Sequence, residues 1–442
     1  MIKERWGEEA EALVRRLKPP PPVAVGTLVR VVGLTLEARG LQAPLGALCR
    51  VSSDDGAAVD AEVVGFNDGV LYLMPFTEPV GIGPGARVAL IARIPSAALG
   101  PALLGRVIDG QGQPLDGGPQ PLCADRLGLR GLPLNPMARG AIDTPFDVGV
   151  RAINGLLTLG RGQRMGLVAG SGVGKSVLMG MLTRGSEADV VVIGLIGERG
   201  REVREFVQET LGPEGLERAV VVAAPADQSP VLRLKATHLT HLIAEYFRDQ
   251  GKNVLMLVDS LTRVAHAQRE VGLAIGEPPT AKGYPPSVFA LLPSLIERAG
   301  VGQAGHGAIT AFYTVLAEGD DATDPIVDIA RASLDGQVML SRRLADAAHY
   351  PAIDLAGSIS RVMPLLVPAE RLRRANLVRR LWSLYQQNED LITVGAYEPG
   401  SDPELDRAIH KREELARFLQ QAMDTQTTLA EAEAALDAMM EE

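Results

Sequence analysis

The segment Ala169–Ser176 combines residue types and spacing that suit phosphate chemistry. It reads AGSGVGKS, and it lies between a strand-like run, RMGLV, and a helical pattern, SVLMGML. In such a loop the backbone N–H groups point inward at phosphate oxygens, and the helix N-terminus adds partial positive charge. Lys175 would reach the β- and γ-phosphates, and the Ser176 hydroxyl would coordinate Mg²⁺. The loop therefore predicts a site for a nucleoside triphosphate.

The predicted contacts with the nucleotide extend through this loop and into the first turn of its helix. They are Gly170, Ser171, Gly172, Val173, Gly174, Lys175, Ser176 and Val177. Ala169 stands where the pattern GxxxxGK[ST] has its first glycine, and alanine is small enough for the departure to cost little. The alternative is a fortuitous glycine-rich turn, which the strand–loop–helix context disfavours.

Asp259 is the predicted metal-binding partner of the loop. It ends the apolar run NVLMLVDS at 253–260. A carboxylate at the tip of a strand beside a phosphate loop can hold Mg²⁺ through water. Asp259 could instead cap a following helix, SLTRVAHAQ. The phosphate loop earlier in the chain favours the metal role.

Glu198 and Arg199 stand side by side where another apolar run, VVVIGLIGERGREVREF, turns abruptly charged. In an open α/β sheet, ligands bind at the carboxyl ends of the strands. Glu198 could polarise the water that attacks the γ-phosphate, and Arg199 could steady the developing charge. A solvated charged turn that opens the next helix explains the same residues equally well. The residues alone leave both interpretations open.

The elements that would position these residues follow from the hydrophobic pattern. We expect strands at 165–169, 189–196, 219–224, 253–258, 307–316 and 336–340, with helices at 200–211 and 231–250 among them. This alternation predicts a parallel α/β sheet covered on both faces. From Val23 to about Pro95, short apolar stretches between Gly, Asp and Pro turns predict a small barrel or sandwich.

The two ends of the chain have a helical pattern. Residues 3–17 form an amphipathic pattern that the prolines at 19–22 end. That helix could pack back on the body or dock a partner. After about Glu370 the strand pattern stops, and Asp402-Pro403 and Thr428-x-x-Glu431 resemble helix starts.

These patterns divide the chain into four predicted regions. They are an N-terminal helix with a proline spacer at 1–22, a β-barrel domain at 23–96, an ATPase-type α/β domain at 97–370 and a helical domain at 371–442. The length of 442 residues fits two to four domains.

The composition narrows the class of protein. A hydrophobic fraction of 46% and a charged fraction of 22% are those of an ordinary soluble globular protein. The net charge of −10 argues against a nucleic-acid binder. Cys49 and Cys123 form no disulfide framework or zinc motif, which fits a reducing compartment. With no apolar signal segment and no membrane-spanning run, we expect a cytoplasmic protein.

Six motifs together resemble the export ATPases of type III secretion, which are similar to the catalytic subunits of rotary ATP synthases. The motifs are AGSGVGKS, GLIGERGREVREF, VLMLVDSLTR, GEPPTAKGYPPSVF, HYPAIDLAGSISR and VGAYEPGSDPELDRAI. The resemblance covers residues 24 to 410. It implies a small β-barrel, a RecA-like P-loop NTPase core with a parallel sheet, and a helical C-terminal domain, in agreement with the pattern of elements.

The resemblance also implies roles that spacing does not give. Glu198 would be the catalytic carboxylate, with Arg199 beside the γ-phosphate. Arg361, in GSISR, matches the arginine that reaches into a neighbouring subunit's site, and Tyr350, in HYPAID, matches the aromatic residue that packs on the adenine ring. Without the motifs, a salt-bridged arginine and a core tyrosine would be the simpler interpretations. The implied cofactors are ATP and Mg²⁺, with Ser176 and Asp259 at the metal.

The implied function is a Mg²⁺-dependent ATP hydrolase that energises type III export of flagellar proteins as a homohexameric ring. The stretches LVRVVGLTLEARGLQAPLGALC and EVVGFNDGVLYLMPF resemble the flagellar branch more than the virulence (injectisome) branch. Alternatives are an injectisome ATPase, a non-catalytic subunit of a rotary ring, or a ring-shaped RNA translocase. The last would need basic and aromatic residues in the first domain, where only Phe66, Tyr72 and Phe76 are aromatic.

The partners implied by the resemblance are several. They are a stator-like regulator at the N-terminal helix, a central stalk protein in the ring, export substrates with their chaperones, and an export gate at the membrane. The protein would then be peripheral to the cytoplasmic face of the inner membrane. No nucleic-acid partner is expected.

Overall fold

The computed structural model describes residues 24–131, 134–316 and 324–441. The predicted N-terminal helix and its proline spacer lie outside the described residues. The chain forms two compact units, which meet in sequence between Ile94 and Pro95. The domain limits proposed from the sequence stay predictions.

The first unit is a closed six-stranded barrel. Around the barrel its strands are Val25–Val32, Thr35–Arg39, Val70–Pro75, Ala58–Asn67, Leu48–Ser52 and Arg87–Ala92. Alternate side chains point inward, and residues such as Leu28, Leu36 and Leu73 form its core. Closure leaves no unpaired strand edge. The predicted small barrel is confirmed.

The second unit is built on a nine-stranded sheet. From one edge to the other, the strands on its main path are Ile353–Ser360, Gly336–Leu340, Arg164–Ala169, Ala308–Leu316, Asn253–Asp259, Val190–Ile196, Ala219–Ala224 and Arg106–Ile108. The ninth strand, Gly300–Val301, pairs antiparallel with Ala308–Leu316. Ile353–Ser360 is also antiparallel to its neighbour, whereas the other strands on the path run parallel.

The strand Val190–Ile196 shows why this sheet is buried on both sides. All seven of its residues are buried. Val191 and Ile193 pack into the core on one face, while Val190 and Val192 pack into the core on the other. Successive side chains of a strand point to opposite faces, so an unbroken apolar run needs two cores. The predicted parallel sheet, covered on both faces, is confirmed.

Helices cover both faces of the sheet and form the C-terminal region. Their bounds are Arg151–Leu156, Lys175–Gly185, Gly200–Glu205, Gly212–Glu217, Pro230–Asp249, Leu261–Ala274, Pro286–Ile296, Pro325–Ser333, Arg342–Asp346, Met363–Leu366, Ala369–Thr393, Pro403–Leu419 and Leu429–Glu441. A π-helical segment, Phe206–Leu211, joins Gly200–Glu205 to Gly212–Glu217. Within the described residues, no helix is long and apolar enough to cross a bilayer.

The helix starts predicted near the C-terminus are confirmed. The Asp402 carboxylate accepts hydrogen bonds from the backbone N–H groups of Glu404 and Leu405. Thr428 and Glu431 form a reciprocal capping box, because each side chain accepts from the other residue's backbone N–H. In the described part of the chain, every strand lies before Arg361.

Candidate active site

The predicted phosphate loop begins at the carboxyl end of the strand Arg164–Ala169 and leads into the helix Lys175–Gly185. Ala169 is the last residue of that strand and is buried in the core. Gly172 and Gly174 have φ angles of 75° and 88°. These left-handed conformations favour glycine, because a Cβ there would be strained. The glycines at these two positions therefore allow the turn.

Three side chains from separate elements meet beside this loop. The Lys175 Nζ lies 2.6 Å from Asp259 Oδ1 and 3.4 Å from Glu198 Oε1. Asp259 ends the strand Asn253–Asp259, and Glu198 follows the adjacent strand Val190–Ile196. The carboxyl ends of parallel strands lie at the same end of the sheet. The fold therefore brings together the lysine and both carboxylates that the sequence analysis selected.

Burial and mutual charge perturb this cluster. Burial, followed by the neighbouring Asp259 carboxylate, raises the pKa of Glu198 to about 7, although the Lys175 ammonium acts in the opposite direction. Burial lowers the pKa of Lys175, but the carboxylates of Asp259 and Glu198 outweigh that effect and raise it overall. Lys175 therefore stays cationic, while Glu198 changes charge close to neutral pH. Such perturbed groups cluster at functional sites.

The backbone around Glu198 is fixed by close packing. Gly197 has a φ of 72°, and a Cβ there would lie 2.9 Å from the Cβ of Arg263. The Gly197 N–H donates to the Ala224 carbonyl at 2.7 Å, and the Glu198 carbonyl accepts from the Ala226 N–H at 3.0 Å. The neighbouring strand end therefore sets the position from which the Glu198 side chain reaches Lys175.

Thr314 belongs to this site and was not predicted. Its hydroxyl donates to Asp259 Oδ1 at 2.6 Å, and both side chains are buried. Thr314 lies near the carboxyl end of the strand Ala308–Leu316, next to the strand that Asp259 ends. The only signal in the sequence is a hydroxyl within the apolar run AITAFYTVL, at a strand end.

Arg199 lies apart from the cluster. Its side chain is 79% exposed and is 3.3 Å from Glu202 Oε1. Arg201 and Glu205 form a similar pair along the same helix. The structure therefore brings Glu198 to Lys175 without Arg199, and the role of Arg199 stays a prediction.

Tyr350 lies beside the end of the phosphate loop. A Cβ built on Gly174 would be 3.4 Å from its Cε1 atom. The side chain is 45% exposed, and the Tyr350 carbonyl accepts a hydrogen bond from the Gln421 N–H at 3.0 Å. A half-exposed aromatic ring is therefore available close to where the phosphate loop becomes a helix.

Arg361 lies at the amino end of the parallel strands, whereas the phosphate loop lies at their carboxyl end. It follows the antiparallel strand Ile353–Ser360, and Ser360 pairs with Gly336, the first residue of a parallel strand. The exposed side chain donates to the Arg331 carbonyl at 2.9 Å. Arg361 is therefore outside the cluster of its own chain, where Lys175, Glu198 and Asp259 meet.

The oxygen donors beside the loop fit Mg²⁺. This ion keeps several waters and is usually held by one or two carboxylates together with substrate phosphates. Asp259 offers a carboxylate and Ser176 an exposed hydroxyl at the first turn of the helix. No group of three His, Cys, Asp or Glu side chains suited to a metal occurs among the described residues. The donor set suits a metal held jointly with a nucleotide.

Two protein-family models match most of the second unit. Residues 149–360 match the model of the ATP synthase alpha/beta family, nucleotide-binding domain, and residues 367–438 match the T3SS EscN ATPase C-terminal domain. The flagellum-specific ATP synthase of Pseudomonas aeruginosa is 57% identical over 425 residues, which cover 96% of this chain and 94% of that protein.

Solved structures agree with this placement. The assembled ATPase EscN from the enteropathogenic E. coli type III secretion system has a TM-score of 0.88 and 43% identity, covering 94% of this chain and 99% of EscN. EscN in complex with its central stalk EscO gives a TM-score of 0.86 and 42% identity, with the same coverage. The resemblance to type III export ATPases and the RecA-like fold class are confirmed. The chain belongs to the family of flagellum-specific ATP synthases and type III secretion ATPases, and it is an ATP-hydrolysing enzyme.

Proposed function

We propose that this chain hydrolyses Mg²⁺-ATP where the phosphate loop meets Asp259 and Glu198, and that hydrolysis energises the export of flagellar proteins. One observation carries the proposal. Lys175, Asp259 and Glu198 meet within 3.4 Å at the ends of adjacent strands, beside a loop with the geometry for phosphates. A non-catalytic subunit would have no need of the buried Glu198 carboxylate at this place.

The residues divide the chemistry of hydrolysis among them. The loop N–H groups and Lys175 bind the β- and γ-phosphates and balance their charge. Ser176 and Asp259 would hold Mg²⁺, partly through water, and the ion would supply positive charge against the charge that develops on the phosphates. Glu198, in its carboxylate form, orients the attacking water and accepts its proton. Tyr350 packs on the adenine ring.

The working form is a homohexamer in which Arg361 completes the site of a neighbouring subunit. The position of Arg361 supports this, because an exposed guanidinium at the amino end of the parallel strands cannot serve its own cluster at their carboxyl end. An arginine supplied in trans stabilises charge in the transition state and is worth about 10³–10⁵ in rate. Arg199 would add to this stabilisation in the assembled site. The assembled state of EscN supports the same arrangement.

The export partners belong to this proposal as well. A central stalk protein occupies the ring, as the complex of EscN with EscO supports. A stator-like regulator binds the N-terminal helix, substrates with their chaperones bind the C-terminal helices, and the ring lies against an export gate at the cytoplasmic face of the inner membrane. The flagellar assignment is supported by 57% identity to flagellum-specific relatives, against 50% to a type 3 secretion system ATPase of Xanthomonas euvesicatoria.

The test replaces the chromosomal gene by one encoding Glu198→Gln and measures secreted flagellar proteins. Glu205→Gln is the matched control, since it makes the same chemical change at a more exposed glutamate on the following helix, where Glu205 pairs with Arg201. We expect flagellar export to stop with Glu198→Gln and to continue with Glu205→Gln. Normal export by Glu198→Gln, or loss of virulence effectors alone, would contradict the proposal.

A further inference from the structure

The phosphate loop is held from outside by an arginine that the sequence motifs do not include. Arg342 Nη2 donates to the Ser171 carbonyl at 2.7 Å. The same guanidinium lies near Gly170, where an added Cβ would be 3.7 Å from Arg342 Nη2. Arg342 is the first residue of the helix Arg342–Asp346. That helix follows a strand adjacent to the one from which the loop emerges.

The direction of this hydrogen bond determines the direction of the next N–H group. The carbonyl of Ser171 and the N–H of Gly172 belong to one planar trans peptide and point to opposite sides of it. Because the carbonyl points out of the loop to Arg342, the Gly172 N–H points the other way. Binding of phosphate by such a loop needs its N–H groups directed inward.

Glycines make this peptide easy to rotate. Gly172 has a φ of 75°, and a Cβ built there would meet nothing within 4 Å. Gly170 precedes the same stretch, so neither neighbour of Ser171 has a side chain that restrains the backbone. Glycine samples positive and negative φ almost equally. A hydrogen bond from outside is therefore needed to keep this peptide in one orientation.

Arg342 is itself presented by a well-anchored segment. Its helix is capped by Ser341, whose side chain accepts from the Leu344 N–H. Further along, Tyr350 packs against Gly174 at the other end of the loop. The ring of His349 lies 5.6 Å from that of Trp382 in the C-terminal region. The segment 341–350 therefore contacts both ends of the phosphate loop, and its His349 packs against Trp382 of the C-terminal region.

We propose that Arg342 is a positioning residue for the nucleotide. It holds the Ser171 carbonyl outward and thereby directs the Gly172 N–H at the phosphates. The inference rests on the proposed nucleotide site. Since the preorganised donor acts on bound phosphate in the ground state as well as during reaction, its loss raises the Kd and KM for ATP more than it lowers kcat.

The test compares three variants of the full-length chain by equilibrium ATP binding and by steady-state hydrolysis. Arg342→Ala removes the donor, Arg342→Lys retains a cationic donor, and Arg343→Ala is the matched control. Arg343 is exposed on the same helix and pairs with Glu389 at 2.7 Å instead of with the loop. Melting temperatures of all three show whether the fold is retained.

We expect Arg342→Ala to raise the Kd and the KM for ATP about tenfold. A change of this size is the usual cost of losing one hydrogen bond to a neutral group. The fall in kcat should be smaller, Arg342→Lys should recover part of the affinity, and Arg343→Ala should bind ATP as the wild type does. An unchanged Kd and KM in Arg342→Ala would overturn the inference. An equal loss in Arg343→Ala would also overturn it, because net charge would then be the cause.

A fourth variant separates this inference from the proposed site. Lys175→Ala should lose ATP binding if the loop is the nucleotide site. If Lys175→Ala loses affinity and Arg342→Ala does not, only the positioning role fails. If Lys175→Ala binds ATP normally, the proposed site itself is wrong.

Discussion

Opposing effects on the pKa of Glu198 suit a group that must accept a proton at neutral pH. Burial and the Asp259 carboxylate oppose its ionisation, while Lys175 favours it. A general base is most effective when its pKa lies near the working pH. The raised pKa, about 7, therefore suits Glu198 to the role of general base.

The pH dependence of hydrolysis follows from this pKa. Glu198 must be ionised to accept a proton, and its pKa is raised, so kcat/KM should rise with pH and reach half its plateau near pH 7. Glu202 raises the pKa of Glu198 through a hydrogen bond and its charge. Glu202→Gln should therefore shift the rising part of the pH profile to lower pH. The measurement is kcat/KM for Mg²⁺-ATP across the neutral pH range. Identical pH profiles for the wild type and Glu202→Gln would refute the assignment of the profile to Glu198.

At the scale of elements, the connection between the last two helices fastens the C-terminal region to the nucleotide-binding sheet. Gln421 lies in this connection and is buried. Its Oε1 accepts from the Arg151 N–H at 2.8 Å, and its Nε2 donates to the Gly149 carbonyl at 2.9 Å. Its own N–H donates to the carbonyl of Tyr350, the proposed adenine contact. The connection therefore reaches the nucleotide site directly.

Removing the Gln421 side chain should destabilise the protein. Gln421→Ala removes the acceptor of the half-buried Arg151 N–H and one donor to the Gly149 carbonyl, which still accepts from the Thr427 N–H, and this costs about 1–3 kcal/mol in the free energy of unfolding. Gln420→Ala is the control, because Gln420 is exposed and contributes its backbone carbonyl to Arg151. Its effect should stay within about 0.5 kcal/mol. Urea unfolding of both variants checks this, and equal losses would show that the buried amide contributes nothing.

The central strands could be predicted closely from the sequence, and the edge strands could not. Parallel strands buried on both faces are unbroken apolar runs, as in Val190–Ile196, so their ends are visible where polarity returns. Arg106–Ile108 has only three residues, too few for the hydrophobic pattern to indicate a strand. Ile353–Ser360 contains Asp, Gly and two Ser in an edge position, where exposure removes the apolar signal.

The helix after Glu198 shows a similar limit. A continuous helix was expected over 200–211, but Phe206–Leu211 is π-helical. The Thr210 carbonyl there accepts from Arg184 of the phosphate-loop helix. This contact joins residues distant in sequence, and local propensity carries no information about it. Thr314 and Arg342 could not be predicted for the same reason, because their partners come from other strands and loops.

At the scale of the whole molecule, the position of Arg361 determines what a single chain can do. The antiparallel strand that precedes it carries Arg361 to the amino end of the parallel strands, away from Lys175 at their carboxyl end. In the proposed mechanism a lone subunit has the phosphate loop with Lys175, Glu198 and Asp259, but it lacks the Arg361 of a neighbour. Binding of ATP and its hydrolysis should accordingly respond differently to assembly.

Hydrolysis per subunit should rise with protein concentration, because sites become complete only between subunits. Arg361→Ala should bind ATP normally and lose about 10³–10⁵ in rate. Mixing Arg361→Ala with Glu198→Gln should restore part of the rate, since an intact Glu198 can then face an intact Arg361. The check is a titration of one inactive variant with the other. A mixture as inactive as its components would show that the site is not shared.

The central claim is that Glu198, beside Lys175 and Asp259, is the carboxylate that activates water for ATP hydrolysis. The most direct measurement is the turnover of Mg²⁺-ATP by purified Glu198→Gln, with ATP affinity measured in the same samples and Glu205→Gln as the control. The account predicts a fall in kcat of about 10²–10⁴ for Glu198→Gln with ATP still bound, and near-normal turnover for Glu205→Gln. Turnover by Glu198→Gln at the wild-type rate would contradict it.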